Sequence, residues 1–271
     1  MKLISFKVIL ILLVITFSGY TQESKRVISL TPSITENIYL IGAQNKLVGC
    51  TSYCSLAVED GVEQIGSAVE VNVEKILTLK PDLVLTMELT KSQDVDMLRK
   101  LGIKVEVIPT PKTFDEICDQ NIFIGKLVGN LNEARKVVLE SKEQVNKIQK
   151  TSKELPVSKI FFQLGANPVF TVLEGTFMND FITICNGENI AKGMKHGTIT
   201  REAVLLKNPD VIIIATMGGF GKDERKVWES YHGLSAVKNK KVFLVASETS
   251  CSPTPENFAK ALTAIYTNLS K

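Results

Sequence analysis

The sequence predicts an α/β protein of two Rossmann-like lobes with mainly parallel sheets, joined by a long α-helix, with a ligand cleft between the lobes. Three observations predict it. Short aliphatic runs alternate with amphipathic helical stretches in both halves of the chain, the pattern of parallel strands covered by helices. Between the halves lies NEARKVVLESKEQVNKIQKTSK, a charged stretch with Ala134, Val137, Val138, Val145 and Ile148 at helical spacing. And one unit is written twice, NVEKILTLKPDLVL at 72–85 and TREAVLLKNPDVII at 200–213. An offset of 128 residues between the copies fits duplicated domains and not a short-period solenoid.

Each element follows in order. RVISL is a strand, and Ser33 with Glu36 reads as a capping box opening a helix that ends at Gly42. KLVGC is a strand, and an irregular loop runs through Cys54 to Gly66. The first copy of the repeat gives a helix at about 73–79 and a strand at 82–86; SQDVDMLRKLG is a helix and IKVEVI a strand. From Phe114 the pattern stays helical for some forty residues, broken at Gly129-Asn130, and the central charged helix reads as a rigid strut. KIFFQL and VFTVL are strands, and FMNDFITICNG is a helix closed by Gly187. The second copy gives a helix and the strand DVIIIAT. A helix over DERKVWESY, the strand KKVFLVA and a terminal helix PENFAKALTAIYTNL complete the chain. The expected divisions are 1–21, a secretory signal; 22–130, the N-terminal lobe; 131–155, the linking helix; and 156–271, the C-terminal lobe.

The signal follows from Lys2 and Lys7 beside the apolar run Val8–Ile15, too short to span a bilayer, with cleavage expected between Ser18 and Gln22. No cysteine stands at that junction to carry a lipid. The mature protein is expected in the periplasm or secreted. There, Cys50, Cys54, Cys118, Cys185 and Cys251 meet an oxidising compartment, and their odd number leaves at least one unpaired. Cys118, inside a helical pattern, reads as a buried small apolar residue.

The formal charge of +3, falling to +1 without the signal lysines, argues against a nucleic-acid partner. GGFGKD at 218–223 resembles a phosphate loop, but Thr216 stands where the first glycine belongs and Asp223 where the hydroxyl belongs. No GxSxG, HExxH or GxGxxG is present. Of the two histidines, His232 reads as a solvated helix-end residue, while His196 lies in a Gly-bracketed loop suited to a ligand contact. Trp228 reads as packing. Loops at the carboxyl ends of parallel strands form the ligand crevice of such folds. These loops supply Thr31, Pro32, Tyr53, Cys54, Met87, Asn167, Phe170, Met217 and Phe220, a set short of charge that suits a bulky neutral or chelated ligand.

Taken in order, RVISLTPSITENIYLIG, NKLVGCTSYC, VNVEKILTLKPDLVL, the charged helix, KIFFQLGANPVFT, ICNGENI and TREAVLLKNPDVIII carry a resemblance. Over essentially the whole mature chain the protein resembles the helix-linked periplasmic binding proteins for iron chelates and cobalamin that serve ABC importers. FFQLGANPVFT and CNGENI are similar above all to the cobalamin-binding members. The resemblance implies a corrinoid held between the lobes, no covalent chemistry and no resident cofactor. It also implies a monomer that docks on an ABC permease dimer through one exposed glutamate per lobe, Glu74 and Glu202. Without the family, an acid in the first turn of a helix simply complements its dipole. Tyr53 and Phe170 match aromatic positions that contact the corrin. Three tryptophans of the cobalamin binders stand here as Ala68, Met87 and His196, and His196 becomes a possible axial ligand to cobalt or iron. Cys185 matches a half-cystine, for which Cys251 is the available partner. The alternatives are a ferric siderophore, haem or other metal chelate as ligand, and, from another class, an enzyme on the same fold using Cys54 or His196.

Overall fold

The computed structural model describes residues 24–67, 70–215 and 221–271. The expected signal and its cleavage region lie outside them, as do Ala68, Met217 and Phe220. The N-terminal lobe is a parallel sheet of β1 (Val27–Ser29), β2 (Leu47–Cys50), β3 (Leu83–Met87) and β4 (Val105–Ile108), in the order β2-β1-β3-β4. Helices α1 (Pro32–Leu40), α2 (Ser55–Glu59), α3 (Val73–Thr78) and α4 (Ser92–Lys100) connect these strands. The C-terminal sheet comprises β5 (Ser158–Ala166), β6 (Val169–Thr171), β7 (Gly187–Asn189), β8 (Val211–Ala215) and β9 (Val242–Val245). Its order is β6-β5-β8-β9, with β7 also on β5, and only β6 runs antiparallel. Its helices are α7 (Phe177–Ile184), α8 (Arg201–Lys207), α9 (Gly221–Glu229), α10 (Ser235–Lys238), α11 (Ser247–Ser250) and α12 (Pro255–Leu269). The fold is the predicted α/β arrangement of two lobes with mainly parallel sheets.

Two helices cross between the lobes. α5 (Phe114–Val128) and α6 (Leu131–Thr151) form a hairpin turned by Gly129 in the left-handed conformation (φ 76°). Phe114, Ile117 and Cys118 enter the C-terminal core, while Ile124 and Val128 enter the N-terminal one. α6 does the reverse: Ala134 packs in the N-terminal core, Val145 and Ile148 in the C-terminal core. Gly125 permits the close approach, since a Cβ there would lie 2.5 Å from Cβ of Ala134. In the C-terminal core Phe258 stacks on both Phe114 (4.5 Å between centroids) and Phe181 (4.4 Å), tying α12, α5 and α7 together.

Several local expectations change. The capping box is not formed. Thr31 is the N-cap residue and Pro32 opens α1, its fixed φ suiting the first helical turn. Ser33 therefore lies buried inside the helix, and Glu36 turns toward the other lobe. The loop after Cys50 contains α2. The turn after α7 is made by Asn186 (φ 58°), and Gly187 instead begins β7, where a Cβ would meet Ile160 at 2.5 Å. α10 and α11, four residues each, were too short to show a period. No disulfide is present among the described residues, so Cys185 and Cys251 are not joined. Cys185 is buried in the C-terminal core, where burial pushes its thiol up to about 12. Cys118 and Trp228 are buried as expected.

The repeat is one structural device used twice. Asn72 and Thr200 are the N-caps, their side chains accepting from the amides of Lys75 (2.9 Å) and Ala203 (3.2 Å). Both helices end on a left-handed residue before the proline, Lys80 (φ 47°) and Asn208 (φ 46°). The aspartate after it pins the start of the neighbouring strand: Asp82 accepts from the amides of Lys25 (2.9 Å) and Arg26 (3.0 Å), Asp210 from that of Lys159 (2.9 Å). Asp82→Ala and Asp210→Ala are each expected to cost about 1 kcal/mol, read as a lower urea midpoint with unchanged m-value.

Candidate functional site

The loops at the carboxyl ends of the strands converge between the lobes, where the described residues outline two cavities. The larger, about 1060 Å³, lies between the start of α1 with the 53–56 corner and residues 247–257 of the other lobe. The smaller, about 450 Å³, lies between Glu88 with Pro109–Lys112 and the segment from Phe170 to Met178. The larger is at the upper end of the range for small-molecule sites, roughly 300–1,000 Å³.

Thr31, Pro32 and Tyr53 line the larger cavity. Tyr53 is 67% exposed, so its ring stands largely bare at the cavity wall. Phe170 lines the smaller cavity and is 42% exposed. Its ring lies against Gly197, where a Cβ would come within 2.4 Å. Residues 197–199 run beside β6, with the Thr171 amide donating to the Gly197 carbonyl (2.9 Å) and the Ile199 amide to that of Val169 (3.1 Å). This ladder holds His196, exposed, at the same corner as Phe170. Asn167 is exposed in the β5–β6 turn, joined to Pro168 by a cis peptide bond. His196 and Asn167 line neither cavity.

The sulfur residues are drawn inward. Cys54 is 1% exposed in the N-terminal core, with its thiol 3.2 Å from Oγ1 of Thr51. Met87 is buried there too, its sulfur accepting from Oγ of Ser33 at 3.6 Å. Cys251, by contrast, lines the larger cavity.

The residues that join the lobes across this cleft had no signal in the sequence. Oε2 of Glu36 accepts from Oγ of Ser252 (2.5 Å) and Nδ2 of Asn257 (2.9 Å). Burial raises the Glu36 carboxyl above its ordinary range, and these two bonds pull it part of the way back. Next to it, Nδ2 of Asn37 donates to the carbonyls of Ser33 (2.8 Å) and Pro253 (3.4 Å), and Oδ1 of Asn37 accepts from Nδ2 of Asn121 (2.8 Å). On the other side, Asp180 accepts from the Phe114 amide at 2.8 Å. Partners more than two hundred residues apart cannot be read from local spacing, and Glu36 resembled a cap.

Glu74 and Glu202 are both exposed in the first turns of α3 and α8. Each helix begins at the cleft edge of its sheet. The Asn72 amide donates to the Ile65 carbonyl beside the end of β2, and Thr200 directly follows the 197–199 ladder at the end of β5. Glu202 is held below the usual carboxylate range by its own amide, the Thr200 hydroxyl and Arg201.

In this two-lobed α/β protein both lobes wall a space large enough to enclose a small molecule. The chain belongs to the periplasmic binding protein family, whose model matches residues 27–249. It is 30% identical, over 231 residues, to an uncharacterized ABC transporter substrate-binding lipoprotein, YvrC, of Bacillus subtilis strain 168, spanning 82% of this chain and 73% of that protein. The vitamin B12-binding protein BtuF of Vibrio cholerae has a similar structure, with a TM-score of 0.78 and 28% identity, covering 91% of this chain and 97% of that one. A possible iron-binding periplasmic solute-binding protein of Staphylococcus epidermidis also has a TM-score of 0.78, at 27% identity, covering 92% of this chain and all of that one (100%).

Proposed function

We propose that this chain is an exported solute-binding protein that captures a corrinoid in the cleft between its lobes and delivers it to an ABC importer, without covalent chemistry. The observation that carries the reading is the 1060 Å³ cavity spanning both lobes, with the ring of Tyr53 uncovered at its wall. A flat macrocycle gains affinity from such a face. From the other lobe, Phe170 would meet the part of the ligand that extends to the smaller cavity, and His196, exposed beside it, would serve as an axial ligand to the metal if its imidazole turns into the cleft. Glu74 and Glu202, one per lobe and both on the cleft edge, would pair with arginines of the permease dimer. The similarity to BtuF supports the corrinoid. The comparable similarity to the staphylococcal protein supports a ferric chelate as the second reading. Cys54 is enclosed in the N-terminal core and His196 lies exposed at the Phe170 corner of the other lobe, an arrangement that favours binding over turnover.

Spectrophotometric titration of the mature protein with cobalamin, cobinamide, haemin and ferric chelates tests the ligand. Saturable one-to-one binding of a corrinoid is expected. Binding of a ferric chelate and of no corrinoid would replace the first reading by the second.

A further inference from the structure

The larger cavity carries charge of one sign. Among the described residues that line it are three carboxylates, Glu36, Glu248 and Glu256, and no lysine, arginine or histidine. Glu256 pairs with Lys260 one turn along α12. The other two face the space from opposite lobes. Glu36 accepts both of its interlobe hydrogen bonds on Oε2, so Oε1 takes part in neither. Glu248 meets Asn257 through its backbone carbonyl (3.5 Å), not through its side chain. The phenol of Tyr39, in the same wall, is committed to Oδ2 of Asp60 at 2.6 Å.

From this we infer that the cavity selects its chelate by the charge of the ligand's rim, with Glu36 and Glu248 as the specificity-determining residues. A rim of carboxamides presents N–H donors, and hydrogen bonds to an ionised acceptor are roughly twice as strong as neutral ones. A rim of carboxylates meets like charge in a space partly shielded from water, where repulsion is screened less than in bulk. The inference rests on the proposed corrinoid reading, because corrinoids carry carboxamides around the ring where haem carries two propionates.

The test uses pairs of ligands that differ only in rim charge: an amide-edged corrinoid against the same ring hydrolysed to its carboxylic acids, and haem against its dimethyl ester. The wild type is expected to prefer the uncharged rim by more than about tenfold in each pair it binds. Glu36→Gln and Glu248→Gln should each reduce that preference at least several-fold. Glu36→Gln keeps an acceptor for Ser252 and Asn257 and should lower Tm only slightly, while Glu248→Gln leaves the contact between lobes untouched and should keep the wild-type Tm. Equal affinities within a pair, or a preference unchanged in both variants, would overturn the inference while leaving the corrinoid reading intact. Failure of every corrinoid to bind would overturn that reading, and the haem pair then decides the charge rule alone. Binding in neither pair ends both.

Discussion

Replacing Glu224 by alanine is expected to destabilise the protein by about 3 kcal/mol or more. Both carboxylate oxygens of Glu224 accept from Nη2 of Arg201 at 2.7 Å, and Oε2 also accepts from Nε2 of Gln163 at 2.7 Å. The Trp228 indole donates to Oε1 of Gln163 at 2.6 Å, and the Arg201 guanidinium lies 5.0 Å above the indole ring. Four side chains on α8, α9 and β5 thus form one largely buried network around a single negative charge. Without that charge the Arg201 guanidinium is left uncompensated, with Nη1 already lacking a hydrogen-bond partner among the described residues. For a protein of this size the loss should appear as a fall in Tm of roughly 6 to 12 °C. Arg201→Met combined with Glu224→Leu, which removes both charges and keeps the volume, should recover most of the loss. If Glu224→Ala costs less than about 1 kcal/mol, the pair is no more than a surface contact. Arg201 directly precedes Glu202, so the same network fixes the helix start from which that acid projects.

The second large effect is expected in transport. With Glu74 and Glu202 both reversed to lysine, uptake through the cognate importer should fall roughly tenfold or more if the proposed docking holds, because the charge pairs it posits would be replaced by like-charge contacts. Ligand affinity should stay at the wild-type value, since both side chains are exposed and line neither of the two cavities described. Tm should fall slightly, because a lysine in a helix's first turn opposes its dipole. The wild-type interaction should weaken with added salt. Glu202 keeps its charge to lower pH than an ordinary glutamate, as its depressed titration requires. Unchanged uptake in the double variant would leave the two acids as helix-start residues only.

Much of the architecture was legible because it is written in local periodicity. The two copies of the repeat, the terminal helix and the charged helix all carry patterns that packing preserved, and PENFAKALTAIYTNL forms its helix end to end. The Pro-Asp dipeptides were visible, but their role was not. Their carboxylates act on strands some fifty residues earlier. The site was legible only in outline. Strand-end loops do line the cleft through Thr31, Pro32, Tyr53 and Phe170. Position along the chain does not say which way a side chain turns, and Cys54 and Met87 turned into the core because small or flexible sulfur residues fill apolar gaps well. Glu36 is the clearest case. Pro32 shifted the helix start, the local cap lost its geometry, and the carboxylate became available to the opposite lobe.

The crossing of α5 and α6 bears on how such a chain came to be. The repeat points to two copies of one ancestral unit, yet neither lobe finishes its own core. The C-terminal core draws on Phe114, Ile117 and Cys118 from upstream, and the N-terminal core takes Ala134 from the returning helix. Phe114 supplies one face of the ring stack on Phe258. A single ancestral copy would have left part of its apolar interior uncovered, and such a unit gains stability from a second copy that exchanges helices with it.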